Sequence, residues 1–504
     1  MSQSSHESPL EELLAHFKEY RLLDSIGNLL GWDERTYMPP KGSPHRADQM
    51  ALIAKLAHAK VTAPRLGELI ETVAHPESDA AVNLREIRRT RDRAVKMPAS
   101  LVEELARTTT RAQNVWQEAR KNDDFASFAP WLDKIVRLKR QEAQAVGYTA
   151  AAYDALLDEY EPGATTAEIT QVFSELRREL VPLVERITTC GRAPRRDILH
   201  REFPVDRQVF FGQAAAAAIG FDFAAGRLDT TVHPFCSGIG PGDCRLTTRY
   251  NPRFFNEAFF GILHEAGHGI YDQGLAPEHF GTPLGSAVSL GIHESQSRLW
   301  ENQVGRSKPF WSHFLPRLKQ SFPGTLDDVG LDDFHWAVND VQRSFIRVEA
   351  DEATYNLHII LRFEMEQALV SGDLPTAEVP AAWNEKFRQL LGLTPPNHAQ
   401  GCLQDIHWSM GGLGYFPTYT LGNLYAAQFM EQARKDLGDL DASICQGSFA
   451  SLKDWLNKNI HRPGQRYRPQ ELCRRVTGRT LSHRPLLDYL WKKYGGLYGV
   501  ERRY

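Results

Sequence analysis

Residues 251–274, NPRFFNEAFFGILHEAGHGIYDQG, constrain the fold most, because they predict one long helix that carries three polar side chains together. Asn251 and Pro252 suit the N-cap and the first helical position, and Gly274 suits a left-handed stop. The apolar residues recur at intervals of three and four, which predicts one buried face. The residues on this face are Phe255, Phe259, Ile262, Leu263, Ala266 and Ile270.

The polar side chains of this predicted helix have the spacing of a metal site. His264 and His268 lie one turn apart on a common face, where two imidazoles can share one ion. Glu265 is rotated by about 100° from His264, so it can stand beside a metal as a base without binding it. With 18 histidines and 63 acidic residues in 504, chance gives roughly 0.08 matches to this pattern. The alternative is a pair of core histidines bonded to carbonyl groups.

A hydrolytic site of this kind needs a third protein ligand and an open position for water. The segment SLGIHESQSRLWENQVG, residues 289–305, predicts a second helix that can return alongside the first. Glu294 and Glu301 are the two candidate ligands on it. His293 and Asp272 are expected to support the site from outside or to face solvent.

A small β-structure is predicted just before the first helix. The runs DTTVHPF (229–235) and CRLTTRY (244–250) are rich in β-branched residues, and the Gly-rich stretch CSGIGPGD (236–243) lies between them. This order predicts a hairpin. Its edge could bind an extended peptide by strand addition, or the hairpin could have only a stabilising role.

The rest of the chain is predicted to be mainly α-helical. Sequences typical of capping boxes begin at Ser8, Ser100 and Thr165, each followed by apolar residues at helical spacing. We expect one continuous catalytic unit over residues 1–504. The stretch TTCGRAPRRD is the expected break between an N-terminal helical lobe, approximately 1–195, and a catalytic part, 196–504.

Composition excludes several classes of partner. The net charge is −4 and the pI about 6.5, so no basic field attracts nucleic acid. The longest apolar stretch, AAAAAIGF, is too short to span a bilayer, and the N-terminus has no pattern of a secretory signal. The six cysteines form no close CxxC pairs, which is typical of reduced thiols. We therefore expect a cytoplasmic protein. The charge and the short apolar stretches predict no nucleic-acid and no membrane partner.

Six ordered motifs carry a family resemblance that covers most of the chain. They are HPF at 233–235, DCRLT at 243–247, HEAGH at 264–268, HESQSR at 293–298, IRVEAD at 346–351 and GCLQDIHW at 401–408. The N-terminal LLGWDERTYMP is similar in character. In this order the motifs resemble those of the carboxypeptidase Taq family of metallocarboxypeptidases.

The resemblance implies a large helical zincin-type fold with a small β-sheet or hairpin beside a deep active-site groove. It implies that His264, His268 and Glu294 bind one divalent metal per chain and that Glu265 is the base. Zinc is the expected ion, with cobalt as the alternative. It also implies that residues of the other motifs, His233 among them, line the groove, and that the protein is a homodimer.

Hydrolysis of peptides from the C-terminus requires two further groups. A carboxypeptidase must neutralise the terminal carboxylate, which arginine does bidentately, and Arg347 and Arg245 are the candidates. Arg347 lies in a predicted helix, where an ion pair with Asp351 is the alternative to a substrate role. His407 and Tyr415 are candidate donors to the oxyanion, or else residues that only pack in the groove.

Three functions therefore remain in order of preference. The first is a metallocarboxypeptidase that acts on peptide substrates. The second is a zincin aminopeptidase or oligopeptide endopeptidase, which an amine-binding carboxylate cluster beside the metal would favour. The third is a non-catalytic helical scaffold, which failure to bind any divalent metal would favour.

Overall fold

A computed structural model describes residues 8–73 and 78–502. Over these residues the chain forms twenty α-helices and one three-stranded sheet, which confirms the mainly α prediction. The helices are α1 (Pro9–Thr36), α2 (Ser43–Val61), α3 (Pro64–Thr72), α4 (Ser78–Lys96), α5 (Ala99–Asn122), α6 (Phe125–Val146), α7 (Ala152–Tyr160), α8 (Thr166–Thr189), α9 (Val205–Ile219), α10 (Phe255–Gly274), α11 (Leu290–Arg298), α12 (Lys308–Ser321), α13 (Leu331–Ala337), α14 (Tyr355–Ser371), α15 (Val379–Leu391), α16 (Pro417–Leu437), α17 (Leu440–Cys445), α18 (Ala450–Leu456), α19 (Pro469–Thr477) and α20 (Arg484–Tyr498). The strands are β1 (Gly226–Thr230), β2 (Cys236–Gly240) and β3 (Asp243–Thr248).

The helix starts test the capping predictions. Ser8 caps α1 in a complete capping box with Glu11, and Thr165 caps α8 through the backbone N–H of Glu168. The prediction at Ser100 is wrong. Helix α5 begins one residue earlier, at Ala99, and Pro98 in the N-cap position supplies no side-chain bond.

The sheet differs from the predicted hairpin. Its strand order is β1-β3-β2, with β1 parallel and β2 antiparallel to β3. The two β-branched runs are therefore parallel neighbours, and the hairpin joins β2 to β3. The strand β2 was predicted as a turn because Cys236–Gly240 contains two glycines and only one β-branched residue, Ile239.

Two hydrophobic cores are present among the described residues. A large core includes residues from Ala112 to Tyr498 and surrounds α10 and α11. A small core includes residues from Leu13 to Ile87, within α1 to α4. The large core contains side chains from both sides of residue 195, so the boundary predicted there does not coincide with a boundary between cores. In the described ranges, no helix is both long and apolar enough to cross a membrane.

Candidate metal centre

Helix α10 presents His264, Glu265 and His268, and it ends at the predicted Gly274, although its predicted start and the predicted left-handed stop are wrong. It begins at Phe255, because Asn251 instead forms a turn in which its side chain accepts from the N–H of Arg253. Its last residue is Gly274, which is not left-handed. A Cβ on Gly274 would lie 2.4 Å from Nδ1 of His461, so close packing at the end of the helix favours glycine here.

Helix α11 packs against α10 beside the two histidines. The two helices approach closely at Gly267, where a Cβ would lie 2.6 Å from the carbonyl oxygen of Gln296 and from Cα of Ser297. Helix α16 packs on α11 in the same way, because a Cβ on Gly422 would lie 2.5 Å from Cγ of Glu294. Glu294 is thereby held between α10 and α16.

Three ligand atoms converge between these helices. Nε2 of His264 and Nε2 of His268 lie 3.6 and 3.4 Å from Oε2 of Glu294. Metal–ligand bonds of 2.0–2.2 Å in a tetrahedron place neighbouring ligand atoms about 3.3 Å apart. The His264, His268 and Glu294 side chains therefore have the chemistry and spacing that fit one divalent cation.

The other nitrogen of each imidazole is engaged by a different partner. Nδ1 of His264 lies 2.9 Å from Oε2 of Glu301, and Nδ1 of His268 lies 2.5 Å from Nδ1 of His293. His293 in turn bonds Asp272 through Nε2 at 2.9 Å. These bonds leave both Nε2 atoms free to bind a cation and place Glu301 on the far side of His264.

Glu294 is kept ionised by its neighbours. Arg298 donates from Nε to its Oε1 at 2.7 Å, and Ser297 donates to its Oε2 at 3.0 Å. Burial by itself would raise the pKa of Glu294, but the charges of Arg298 and His264 outweigh burial and hold this pKa well below its ordinary value. The carboxylate is therefore charged at neutral pH.

The two imidazoles respond differently to this environment. Burial lowers the pKa of His268 to about 4, so its Nε2 lone pair is available. Burial also acts against protonation of His264, but Glu294 and Glu301 outweigh it and raise the pKa of that imidazole. A cation between the ligands would oppose protonation of His264 by its own charge.

Unlike Glu294 and Glu301, Glu265 has no arginine partner among the described residues. Its side chain is buried, and its pKa is raised to about 7, chiefly by burial, with a contribution from the charge of Glu294. A carboxyl group with this pKa can exchange a proton near neutral pH.

Arg347 lies in a short 3₁₀ turn, Arg347–Glu349, and not in the predicted helix. Its ion-pair partner is Asp405, whose Oδ1 accepts from Nε at 2.9 Å and from Nη2 at 2.8 Å. The expected alternative pair with Asp351 is absent from the described residues, because Asp351 instead accepts from the N–H of Thr354 at the start of α14. Nη1 of Arg347 donates to the hydroxyl of Tyr355 at 2.9 Å.

His407 and Tyr415 lie beside each other. Their rings are 5.4 Å apart, and Nε2 of His407 lies 3.3 Å from the hydroxyl of Tyr419. Burial, followed by the charge of Arg347, lowers the pKa of His407 to about 3, so the imidazole is neutral. Burial and the charge of Glu294 raise the pKa of Tyr415, which keeps its proton at neutral pH.

The remaining two candidates lie on or beside the sheet. Arg245, on β3, pairs with Asp243 through two bonds of 2.8 Å and lies over the ring of Trp32. His233 is exposed in the segment between β1 and β2.

Several contacts at the site were not anticipated from the sequence. Arg298 bonds Glu294 and lies over the ring of Tyr355, which also binds Arg347, so Tyr355 connects Arg298 to Arg347. The i, i+4 spacing of Glu294 and Arg298 was a usable signal. Nothing local in the sequence indicated Tyr355.

Comparison with known proteins gives a consistent result. The profile of the carboxypeptidase Taq (M32) metallopeptidases matches residues 12–494. Thermostable carboxypeptidase 1 of Thermus thermophilus is 49% identical, with 98% of this chain and 99% of that protein covered. Carboxypeptidase 1 of Bacillus subtilis is 37% identical, with 99% and 100% covered. The crystal structure of the M32 carboxypeptidase from Deinococcus radiodurans R1 superposes with a TM-score of 0.96 at 39% identity, over 98% of this chain and 100% of that chain.

Proposed function

The chain belongs to the carboxypeptidase Taq (M32) family of metallopeptidases, and on that premise we propose which residues carry out each part of its reaction. It is a metal-dependent carboxypeptidase that hydrolyses peptides. The observation that carries the proposal is the convergence of two imidazole Nε2 atoms on one oxygen of Glu294.

We assign His264, His268 and Glu294 as the metal ligands. Two imidazoles and one carboxylate favour Zn²⁺, with Co²⁺ as the alternative. The ion that these residues would hold would supply Lewis-acid chemistry, by lowering the pKa of a water molecule and polarising the scissile carbonyl. Glu301 and His293 orient the imidazoles through their Nδ1 atoms, so that both Nε2 atoms point to the same place.

Glu265 is the proposed general base. It follows His264 directly in the chain and is rotated away from the ligand face of α10, so it lies beside the cation site without sharing it. Its carboxylate accepts a proton from the attacking water and later delivers that proton to the leaving amine. The absence of an arginine partner, among the described residues, leaves this carboxylate free to change its charge during the reaction.

Arg347 is the proposed anchor for the substrate's terminal carboxylate. Asp405 holds the guanidinium by its Nε/Nη2 edge, which fixes the plane of the group. The Nη1/Nη2 edge then remains to bind a carboxylate bidentately, close to Tyr355. Arg245 is the second candidate, and an aspartate, Asp243, likewise holds its Nε/Nη2 edge.

His407 and Tyr415 are the proposed donors to the oxyanion, and His233 is proposed to line the approach for the peptide. Nδ1 of the neutral His407 is buried and has no partner among the described residues, so it is available to a substrate group. Tyr415 keeps its hydroxyl proton and lies near Glu294. Both side chains can therefore donate to negative charge that develops on a carbonyl oxygen.

We further propose that residues 1–504 form one catalytic unit, with the approximate division at residue 195, and that the protein is a cytoplasmic homodimer. The unit is supported by the large core, which includes side chains from Ala112 to Tyr498. The location is supported by the absence of disulfide bonds among the six cysteines. The dimer is supported by the family resemblance, and light scattering tests it by measuring the molecular mass in solution.

Reconstitution of the metal-free protein tests the ligand assignment. One equivalent of Zn²⁺ or Co²⁺ should restore removal of residues from the C-terminus of a free peptide, with the products followed by mass spectrometry. His264→Ala should not recover at that concentration, whereas His45→Ala, a change at an exposed histidine of α2, should recover fully. Equal recovery of both variants would overturn the assignment.

A further inference from the structure

A second group of metal-binding side chains lies next to the metal centre, on the sheet side. Cys236 begins β2 and Cys244 lies on β3, in diagonal positions of the antiparallel pair. Their sulfur atoms are 3.5 Å apart, and Sγ of Cys236 lies 4.0 Å from Oδ2 of Asp272 on α10. All three ligand atoms lie within 4.8 Å of one another.

These separations are close to those of ligands around one tetrahedral ion. Metal–sulfur bonds of about 2.3 Å place two sulfur ligands about 3.8 Å apart, and a sulfur and a carboxylate oxygen about 3.5 Å apart. The observed values of 3.5 and 4.0 Å differ from these by a few tenths of an ångström. Small side-chain rotations would therefore complete the geometry.

Strand β2 packs closely on Asp272. A Cβ on Gly238, which lies opposite Cys244 in the sheet, would be 2.6 Å from Oδ2 of Asp272. A side chain at position 238 would therefore displace this carboxylate from the two cysteines. The other oxygen, Oδ1, is bonded to His293 at 2.9 Å.

The charges of the group also favour a cation. Among the described residues, no lysine or arginine pairs with Asp272, and the arginine that follows Cys244, Arg245, is paired with Asp243. Two thiols and a carboxylate in a largely buried position repel one another when ionised, unless a cation is shared between them. Thiolate ligands select a thiophilic ion such as Zn²⁺ over Mg²⁺ or Ca²⁺.

We propose that Cys236, Cys244 and Asp272 form a second metal site, for a thiophilic divalent cation, separate from the catalytic ligands. Each thiol releases its proton to solvent as its sulfur binds the ion, and no oxidant is required. Water completes the coordination. Asp272 is shared, because its Oδ2 binds the second ion while Oδ1 keeps its bond to His293, which contacts His268. The site does not depend on the assignment of the catalytic base.

Cobalt titration of the reduced, metal-free, full-length protein tests this proposal. Thiolate ligation gives a sulfur-to-cobalt charge-transfer absorption in the near ultraviolet that imidazole and carboxylate ligands do not give. The wild type should show this band as a second equivalent of Co²⁺ binds. Cys236→Ala and Cys244→Ala should each lose the band and one bound equivalent, while they keep peptidase activity at the first equivalent.

Two controls separate the second site from the first. Cys445→Ala, a change at an exposed cysteine that belongs to neither group of potential metal ligands among the described residues, should keep the band. Glu294→Ala should weaken the catalytic site and also keep the band, so failure of the proposed catalytic ligands is distinguishable from failure of this proposal. The proposal is overturned if saturating Co²⁺ gives the wild type no thiolate band. It is also overturned if both cysteine variants retain the band.

Discussion

Replacing Gly422 by alanine should weaken metal binding, although Gly422 contacts no metal. Its new Cβ would lie 2.5 Å from Cγ and 2.6 Å from Cβ of Glu294, whereas ordinary contacts begin at 3.4 Å. The same Cβ would lie 3.1 Å from the backbone carbon of Glu294, so rotation of the side chain alone cannot relieve the clash. Glu294 must therefore move by about 1 Å, against a tolerance of about 0.2 Å for metal–ligand bonds.

The magnitude follows from this displacement. Loss of a group that merely orients a ligand costs 10- to 100-fold in metal affinity, and a displaced ligand should cost roughly 100-fold or more. Overpacking should also lower the free energy of unfolding of the metal-free protein by about 1–3 kcal/mol. Competition with a chelator measures the affinity, and urea unfolding measures the stability.

Gly496→Ala is the matched control, because Gly496 lies within helix α20 and a Cβ there meets no atom within 4 Å. It should raise stability by up to about 1 kcal/mol, as alanine does in a helix, and leave metal affinity unchanged. If Gly422→Ala binds the metal as tightly as the wild type does, the contact between α16 and α11 does not position Glu294.

Three further predictions concern single side chains. Glu294→Ala should lower metal affinity far more than Glu301→Ala, which should cost about 10- to 100-fold; the reverse order in chelator competition would make Glu301 the ligand. Arg347→Ala should lower kcat/KM on peptides with a free C-terminal carboxylate by roughly 10- to 150-fold. It should change little on C-terminally amidated peptides, which the wild type is expected to cut poorly. Equal cleavage of both kinds of peptide by the wild type would contradict recognition of the carboxylate. Burial raises the pKa of Glu161, which accepts from the N–H of Gly291, from 4.5 to about 7. The stability that its neutral form contributes is full below pH 4.5 and is lost as the pH rises through 7. In urea unfolding, the free energy of unfolding of Glu161→Gln relative to that of the wild type should therefore increase by up to about 3 kcal/mol between pH 4 and pH 8. A difference that is constant with pH would contradict this.

The sequence predicts best what depends on neighbours along the chain. The spacing of His264 and His268 follows from the helical period, and the Ser8 capping box forms as predicted because both of its bonds are local. The start of α10 was wrong because Asn251 forms a competing turn with Arg253. The strand β2 was missed because its residues have little intrinsic preference for a strand.

Contacts between distant segments could not be predicted from local pattern. Asp405 pairs with Arg347 across 58 positions, and no periodicity links the two segments. Apolar neighbours made Arg347 look helical, whereas the fold places it in a 3₁₀ turn. The choice of Glu294 over Glu301 likewise came from the family resemblance, since both residues lie on the same predicted helix. Packing at Gly267 and Gly422 is what brings Glu294 to the histidines.

The most direct test of the account is the turnover of Glu265→Gln, measured together with its metal content. The amide keeps the shape of the buried side chain but cannot accept a proton from water. Loss of a general base costs about 10²- to 10⁴-fold in rate. We expect the variant to bind the catalytic metal as the wild type does, with kcat reduced by that factor. Full metal occupancy with near-normal kcat would contradict the assignment of Glu265 as the base.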